Sequence, residues 1–241
     1  MKIALIGYGK MGKAIEKIAI QRGHTINTIF HSKHILEANI PEDTDIAIEF
    51  TQPHLAVDHI KKCIDAKIPV VTGTTGWTPE LNEIENYVQS KNGALLHASN
   101  FSIGVNIFFA INKKLAKLMA DHQEYKVEIE EIHHLQKMDA PSGTAISIAN
   151  GILENNSNLI EWVSKEGEQP NFEKNQIPIS AYRKPDVPGT HAVTYTSPID
   201  TISIHHEAHS REGFAMGAVI AAEWLHGKKG VYTMIDVLNI D

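Results

Sequence analysis

Two stretches of this chain carry residue types that could do chemistry. The first is Glu131–Ala145, which reads EIHHLQKMDAPSGTA. It sets His133, His134 and Lys137 at and just beyond the end of an alternating, strand-like segment, Tyr125–His133. Histidine can give or take a proton near neutral pH, and lysine can neutralise an anion. Neighbours on a strand face opposite ways, so His133 and His134 should not share one task. Asp139 or Ser142 can cap a helix that follows, with Pro141 in its first turns. Gly143 and Thr144 would then present N–H groups at a helix start, a cradle for a substrate carboxylate. Singly, each of these residues reads as a surface histidine or a solvated lysine. Together, beside an anion-binding helix start, they read as a site.

The second stretch is Gly7-Tyr8-Gly9-Lys10-Met11-Gly12. It matches G-x-G-x-x-G between an apolar run and a helix-like segment. In that setting the first glycine allows a tight turn, the second lets backbone approach a pyrophosphate, and the third lets helix pack on strand. The acidic residue that usually follows about 20 positions later to hold a ribose hydroxyl is missing. Phe30 is followed instead by His31-Ser32-Lys33. The hydroxyl of Ser32 and the cation of Lys33 suit a 2′-phosphate, hence NADPH rather than NADH; the alternative is two solvated loop residues. Two further loops, Gly73-Thr74-Thr75-Gly76 and Ala98-Ser99-Asn100-Phe101-Ser102, follow strand-like runs. Ligands of open α/β sheets bind at such strand ends, although ordinary turn chemistry would also explain the loops. A last cluster, His205, Glu207 and His209, would share one face of a strand. A stacked sheet face explains it better than a metal site, and no metal is expected.

The elements that must position these residues change character along the chain. The first hundred residues alternate strand-like runs (Lys2–Ile6, Thr25–Phe30, Asp45–Phe50, Ile68–Thr72, Ala94–Ala98) with helix-like ones (Met11–Gln21, His54–Ala66, Pro79–Ser90). That alternation predicts βαβ units and a parallel sheet. Next come a long helix, Ile103–Met119, the Tyr125–His133 strand and a helix over Ser142–Leu153. A polar stretch, Glu154–Gln176, reads as loop. Strands are expected over Ile177–Arg183, Thr190–Thr196 and Asp200–His209, the last two joined by a turn at Pro198–Asp200. A helix, Gly213–Leu225, and a short segment, Val231–Leu238, finish the chain.

Composition bounds the function. The chain has 241 residues, a net charge of −7, one cysteine and 14 histidines. One cysteine excludes a disulfide scaffold or a multi-cysteine zinc site. The acidic balance argues against non-specific nucleic-acid binding. The longest near-apolar run, Gly213–Ala222, is about half the roughly 20 residues of a membrane span. No signal peptide is evident. The expectation is a soluble cytoplasmic protein with no membrane or nucleic-acid partner.

Several motifs together resemble the 4-hydroxy-tetrahydrodipicolinate reductase (dihydrodipicolinate reductase) family. They are EIHHLQKMDAPSGTA, GYGKMG, EFTQP (Glu49–Pro53), GTTG, ASNFSIGVN (Ala98–Asn106), HEAHSREGFAMGAVIAAEWL (His206–Leu225) and GVYTMIDVL (Gly230–Leu238). The resemblance spans nearly the whole chain. It implies an NADPH- or NADH-dependent reductase of diaminopimelate and lysine biosynthesis that transfers hydride to C4 of a cyclic dicarboxylate with loss of water. It implies His133 as proton donor and Lys137 as the second catalytic residue. His134, Gly143 and Thr144 would contact substrate. Gly7 to Gly12, Gly73 to Thr75, and Ala98 to Phe101 would bind cofactor. It further implies a homotetramer. The fold implied is α/β: a discontinuous Rossmann-type dinucleotide-binding domain, residues 1–103 and 214–241, plus an α+β substrate-binding and oligomerisation domain with a mixed sheet, residues 104–213. Gly104 would be a hinge. The chain departs from the family by an abbreviated region around Ile35–Thr44. It also has Arg183-Lys184-Pro185 where Arg-x-Gly is expected, which leaves the role of Arg183 open. Two other readings remain: a different two-domain amino- or keto-acid dehydrogenase, and a dinucleotide sensor without chemistry. The sensor should have lost His133 or Lys137, and both are present.

Overall fold

The computed structural model describes residues 1–31, 40–210 and 212–240. In chain order the elements begin β1 (Lys2–Ile6), α1 (Lys10–Gln21), β2 (Thr25–Phe30), β3 (Ile46–Glu49), α2 (Pro53–Asp65), β4 (Val70–Thr72), α3 (Leu81–Ser90) and β5 (Ala94–His97). They continue with α4 (Ile103–Met119), β6 (Lys126–His133), α5 (Gly143–Leu153), β7 (Glu161–Glu166), β8 (Gln176–Arg183), β9 (Gly189–Thr196) and β10 (Thr201–Ala208). The chain closes with α6 (Glu212–Leu225), β11 (Gly230–Tyr232) and α7 (Met234–Leu238). It divides into two compact units, Met1–Ile103 with Glu212–Asp241, and Gly104–Arg211.

The first unit is built on a parallel sheet of order β11-β5-β4-β3-β1-β2. Its inner strands are buried on both sides, which is why KIALI and IAIE read as continuous rather than alternating runs. One face packs on α1 and α6 through Ile15, Ile18, Ala218 and Ala222. The other packs on α2 and α3 through Ile60, Ile64, Ile84 and Val88. The apolar run Gly213–Ala222 is therefore a buried core helix, and among the described residues no helix is long and apolar enough to cross a membrane. Its small residues allow a close approach: a Cβ on Gly217 would lie 1.7 Å from the Phe101 carbonyl oxygen.

The second unit is a mixed sheet of order β10-β9-β6-β8-β7. Strand β6 runs antiparallel to β9 and parallel to β8. Helices α4 and α5 cover one face, with Phe108, Ala116, Ile148 and Ile152 against Ile129, Ile179 and Val193. The alternating burial of β6 follows from that one-sided cover. Strand β7 falls inside the polar stretch expected to be loop. It is an edge strand paired only with β8, and mostly exposed, so it needs no apolar alternation. The terminal segment resolves into β11 and α7, the latter opened by a Thr233–Asp236 capping box. Pro141 precedes the α5 cap instead of entering the helix, and Ser142, not Asp139, is the capping residue.

Candidate active site

In the first unit, strand order reverses between β1 and β3, and the glycine turn lies at the carboxyl end of β1. Ligands of such sheets bind at this point. Two of the glycines are required by the protein's own packing. Gly7 has φ +97, and a Cβ there would sit 2.0 Å from the Phe50 carbonyl oxygen. A Cβ on Gly12 would sit 2.2 Å from the Gly7 carbonyl oxygen. Gly9 differs: a Cβ there would meet nothing within 4 Å. Gly9 is also the N-cap of α1, with no side-chain cap and no acidic residue in the first turn. The backbone N–H groups of this helix start therefore face an open space. That space is a hollow of about 450 Å³ lined by Gly9, Lys10, Met11, Gly12, Gly73, Thr74 and Thr75 together with Phe50, Thr51 and Pro53. A second hollow, about 550 Å³, shares Gly9, Phe50 and Thr51 and adds Gly7, Tyr8, Phe30 and His31. The structure thus gathers the glycine turn and the Gly73–Thr75 loop around one trough.

The third expected loop is placed differently. Phe101 is buried against Phe50, ring centroids 5.6 Å apart, and the Asn100 side chain accepts from the Ser102 N–H at 2.9 Å. None of Ala98, Ser99, Asn100 and Phe101 lines either hollow. The Tyr8 hydroxyl bonds to Glu16. Ser32 and Lys33 lie outside the described residues.

Beneath the trough is the first residue of the EFTQP motif, to which the sequence reading gave no role. The Glu49 carboxylate, fully buried at the end of β3, accepts from the hydroxyls of Thr51, Thr72 (2.5 Å) and Thr74 (3.0 Å). His59 Nδ1 stands 3.5 Å away. Burial pushes the Glu49 carboxyl up, but the bonds from His59 and the three threonines outweigh it and hold it below its ordinary value. The Thr51 N–H also donates to Thr74 Oγ1 at 2.8 Å. Glu49 thereby ties the ends of β3 and β4, whose loops line the trough. The signal for it was a lone carboxylate in an otherwise apolar strand.

In the second unit, sheet register assembles the site. Glu131 and His133 take inward positions on β6. Register places His191 of β9 across from Glu131 and Arg183 of β8 alongside His133. Cross-strand neighbours lie about 5 Å apart at Cβ. The Glu131 carboxylate is fully buried. Its Oε1 receives Arg183 Nη1 and Nη2, each at 3.2 Å, and the Ser142 N–H at 3.1 Å. Its Oε2 lies 2.7 Å from His133 Nδ1, an ion-pair contact whose ring N–H points off the N···O line. The His133 and His191 rings stand edge to face with centroids 5.1 Å apart. His191 Nε2 also contacts Ser142 Oγ at 3.2 Å. Burial raises the Glu131 carboxyl, yet His133, the Ser142 N–H and the Arg183 charge prevail and hold it at about 2. Burial, then the neighbouring His133 charge, pushes His191 down to about 3.

The loop after β6 carries the rest. His134 is half-buried, and its carbonyl accepts from the Lys137 N–H at 3.1 Å. Lys137 Nζ holds both carboxylate oxygens of Asp139 at 2.9 Å. Burial raises the Asp139 carboxyl, but Lys137 and the backbone N–H groups of Asp139 and Gly143 hold it below its ordinary value. Arg183 Nη2 donates to the Asp139 carbonyl at 2.6 Å, so Arg183 pins this loop as well as Glu131. A Cβ on Gly143 would meet nothing within 4 Å, and α5, like α1, has no acidic residue in its first turn. Thr144, beside it, is half-buried.

Glu131, His133 and His191 could place one ligand atom each within 4.8 Å of one another. The Arg183 guanidinium already supplies the positive charge at Glu131. The His205–Glu207 face of β10 is exposed, and His209 lies beyond the strand. It makes no site with the Glu131 cluster.

The comparisons bear on this geometry. The family description "Dihydrodipicolinate reductase, N-terminus" matches residues 1–101, and "Dihydrodipicolinate reductase, C-terminus" matches residues 104–238. The chain belongs to the dihydrodipicolinate reductase family. A curated protein of Christiangramia forsetii named 4-hydroxy-tetrahydrodipicolinate reductase is 48% identical over 241 residues, covering 99% of this chain and 98% of that one. One of the same name from Methanoregula boonei is 36% identical over 198 residues, covering 82% of this chain and 76% of that one. The solved structure of a dipicolinate-bound dihydrodipicolinate reductase from Paenisporosarcina sp. TG-14 has the same fold, with a TM-score of 0.75, 23% identity and full coverage of both chains. The C-terminal segment of the reductase family runs through α6, β11 and α7, which here pack in the first unit.

Proposed function

We propose that the protein reduces 4-hydroxy-tetrahydrodipicolinate to tetrahydrodipicolinate with NADPH, with NADH as the weaker alternative. The net reaction takes up one hydride and one proton and releases one water. The observation that carries this reading is at the start of α5. There the Asp139 carboxylate already lies between Lys137 Nζ and the Gly143 N–H. A helix start and an ammonium favour an anion at that place, and a cyclic dicarboxylate presents one. Family membership supplies the reaction, and both residues it needs are present.

The trough of the first unit fits a dinucleotide because the one glycine not demanded by packing, Gly9, leaves open the approach to the α1 start. Gly7, Gly9, Lys10, Met11 and Gly12 would hold the pyrophosphate, with Tyr8 beside it. Gly73, Thr74 and Thr75 would follow the chain of the cofactor toward its reacting ring. Ala98, Ser99, Asn100 and Phe101, which line neither hollow in this conformation, would meet the cofactor nearer that end. Ser32 and Lys33 would meet a 2′-phosphate. When bound, the reduced nicotinamide supplies the hydride.

In the second unit, the N–H groups of Gly143 and Thr144 bind one substrate carboxylate, and His134 contacts the substrate. His133 delivers the proton. Lys137 keeps a positive charge beside the anionic substrate as water departs. We assign the first unit to the cofactor and the second to substrate and assembly. The polar sheet face left uncovered by α4 and α5 would join four copies, in the cytoplasm. Light scattering that reports a monomer would refute the assembly.

The catalytic assignment is tested with His133→Ala and Lys137→Ala. Each should lower kcat by about 10²-fold or more, the contribution of a general acid or of charge at the reacting centre. NADPH affinity should stay within about twofold of wild type. Full turnover in both variants would refute it. Lys33→Ala should raise the KM for NADPH and leave that for NADH unchanged; equal effects on both would refute the preference.

A further inference from the structure

The buried carboxylate of Glu131 needs an explanation that a simple ion pair with Arg183 does not give. Its two oxygens have separate duties. Oε1 is saturated by three N–H donors, two from Arg183 and one from Ser142, the cap of α5. Oε2 has no such donor and faces His133 Nδ1 at 2.7 Å, with His191 Nε2 at 4.0 Å. A charge anchored this firmly on one side can serve as a fixed reference on the other. The same carboxylate joins the α5 start to His133, and Arg183 joins both to the loop of Lys137 through the Asp139 carbonyl. The other side of the His133 ring is shaped too. A Cβ on Gly189 would lie 3.0 Å from His133 Nε2 and 3.3 Å from Cδ2, so the glycine leaves that nitrogen room.

We propose that Glu131 is the positioning residue for His133, taking the Nδ1 side of the ring so that the proton given to substrate leaves from Nε2. Before transfer the imidazolium carries both protons. After it, the neutral ring keeps Nδ1–H toward Glu131, and Nε2 is left with a lone pair. The proton ends on the substrate or on the departing water. The ring N–H is off the line to Oε2 in this conformation, and such contacts commonly tighten when substrate binds. Which nitrogen of a histidine holds the proton is set by the bond the other makes. The charged and titratable groups around the His133–His191 pair are Glu131 on β6, Arg183 on β8, His206 on β10 and Lys137 in the loop. Among these only Glu131 is negative.

The inference rests on the reading of His133 as proton donor, and two arms separate their failures. The first uses wild-type protein. Nitrogen-15 spectra of the histidine rings, with His133 assigned by loss of its signals in His133→Ala, should show neutral His133 as the Nδ1–H tautomer. An Nε2–H tautomer would overturn the role of Glu131 whatever the activity of His133→Ala. The second arm is kinetic. Glu131→Gln should lower kcat about tenfold or more and leave the KM for NADPH within about twofold. Without the carboxylate the imidazolium is less favoured. The pH above which kcat falls should therefore move down. A merely structural role would reduce the active fraction and leave the pH profile in place, and that result would overturn the proposal. Gly189→Ala should likewise lower kcat without changing cofactor KM; full activity there would remove the glycine from the account. If Glu131→Gln does not fold, the wild-type tautomer decides.

Discussion

Replacing Gly9 and Gly12 by alanine, one at a time, should separate binding from folding within a single six-residue turn. A Cβ on Gly12 would sit 2.2 Å from the Gly7 carbonyl oxygen, and both positions are fixed by backbone that cannot swing aside. Forcing such an overlap costs about 2–3 kcal/mol. At about 2–4 °C per kcal/mol for a chain of this size, Tm should fall by about 4–12 °C. At Gly9 the added methyl meets nothing within 4 Å. Losing a tolerated N-cap costs about 0.5 kcal/mol, and restricting the unfolded chain returns a similar amount. Tm should stay within about 2 °C of wild type. The methyl would instead occupy the approach to the α1 start. Holding a pyrophosphate even slightly off those N–H groups should cost about 1.4–3 kcal/mol, or roughly 10–100-fold in Kd. Scanning fluorimetry without cofactor and a fluorescence titration with NADPH measure both quantities. The reasoning fails if Gly9→Ala binds NADPH like wild type, or if the two variants lose stability equally.

Acid should weaken the second unit in two overlapping steps. Burial holds His191 at about 3 instead of 6.5, so its neutral form is favoured in the fold. That contribution is present above pH 6.5 and is lost as pH falls toward 3. Glu131 is held at about 2 instead of 4.5, so its contribution is present above 4.5 and is lost between 4.5 and 2. When fully lost, these are worth on the order of 5 kcal/mol for His191 and about 3 kcal/mol for Glu131. Melting curves from pH 7 to 4 should fall steadily, and His191→Asn should flatten the upper part of that fall; an unchanged slope would contradict the assignment. Glu49→Ala strands three threonine hydroxyls and His59 in the core, so it should cost about 3 kcal/mol or more. Glu49→Gln, which keeps the shape, should fold and weaken NADPH binding severalfold, because Thr51 and Thr74 lose their common anchor. Wild-type affinity in Glu49→Gln would show that the threonines do not need it.

Local pattern made much of this fold legible. Helix α4 occupies the Ile103–Met119 span that its sequence periodicity predicts. The glycine turn could be placed because a strand, three glycines and a helix lie within a few residues of one another. Strand β7 was not legible, since an exposed edge strand buries too little to impose alternation. The candidate catalytic cluster was half legible. His133 and Lys137 lie in one continuous motif, but Arg183 and His191 reach Glu131 only through the register of β8 and β9, at sequence distances of 52 and 60 residues. Glu131 itself offered a local clue. It shares the inward face of β6 with Val127, Ile129 and His133, where a carboxylate must find partners. The side chains of Asn100 and Phe101, which the motif marked for cofactor, also hold the loop itself, through the Ser102 N–H and the Phe50 ring.

The central claim is tested most directly by following NADPH oxidation at fixed enzyme with the substrate made in place. Pyruvate and aspartate semialdehyde are condensed by the preceding synthase until the product is at steady level, and this protein is then added. The account predicts rapid loss of NADPH absorbance only when both precursors and the synthase are present, and a rate at least about 10²-fold lower with His133→Ala. NADPH consumed equally well with other amino or keto acids, or no consumption with the condensed substrate despite tight NADPH binding, would contradict it.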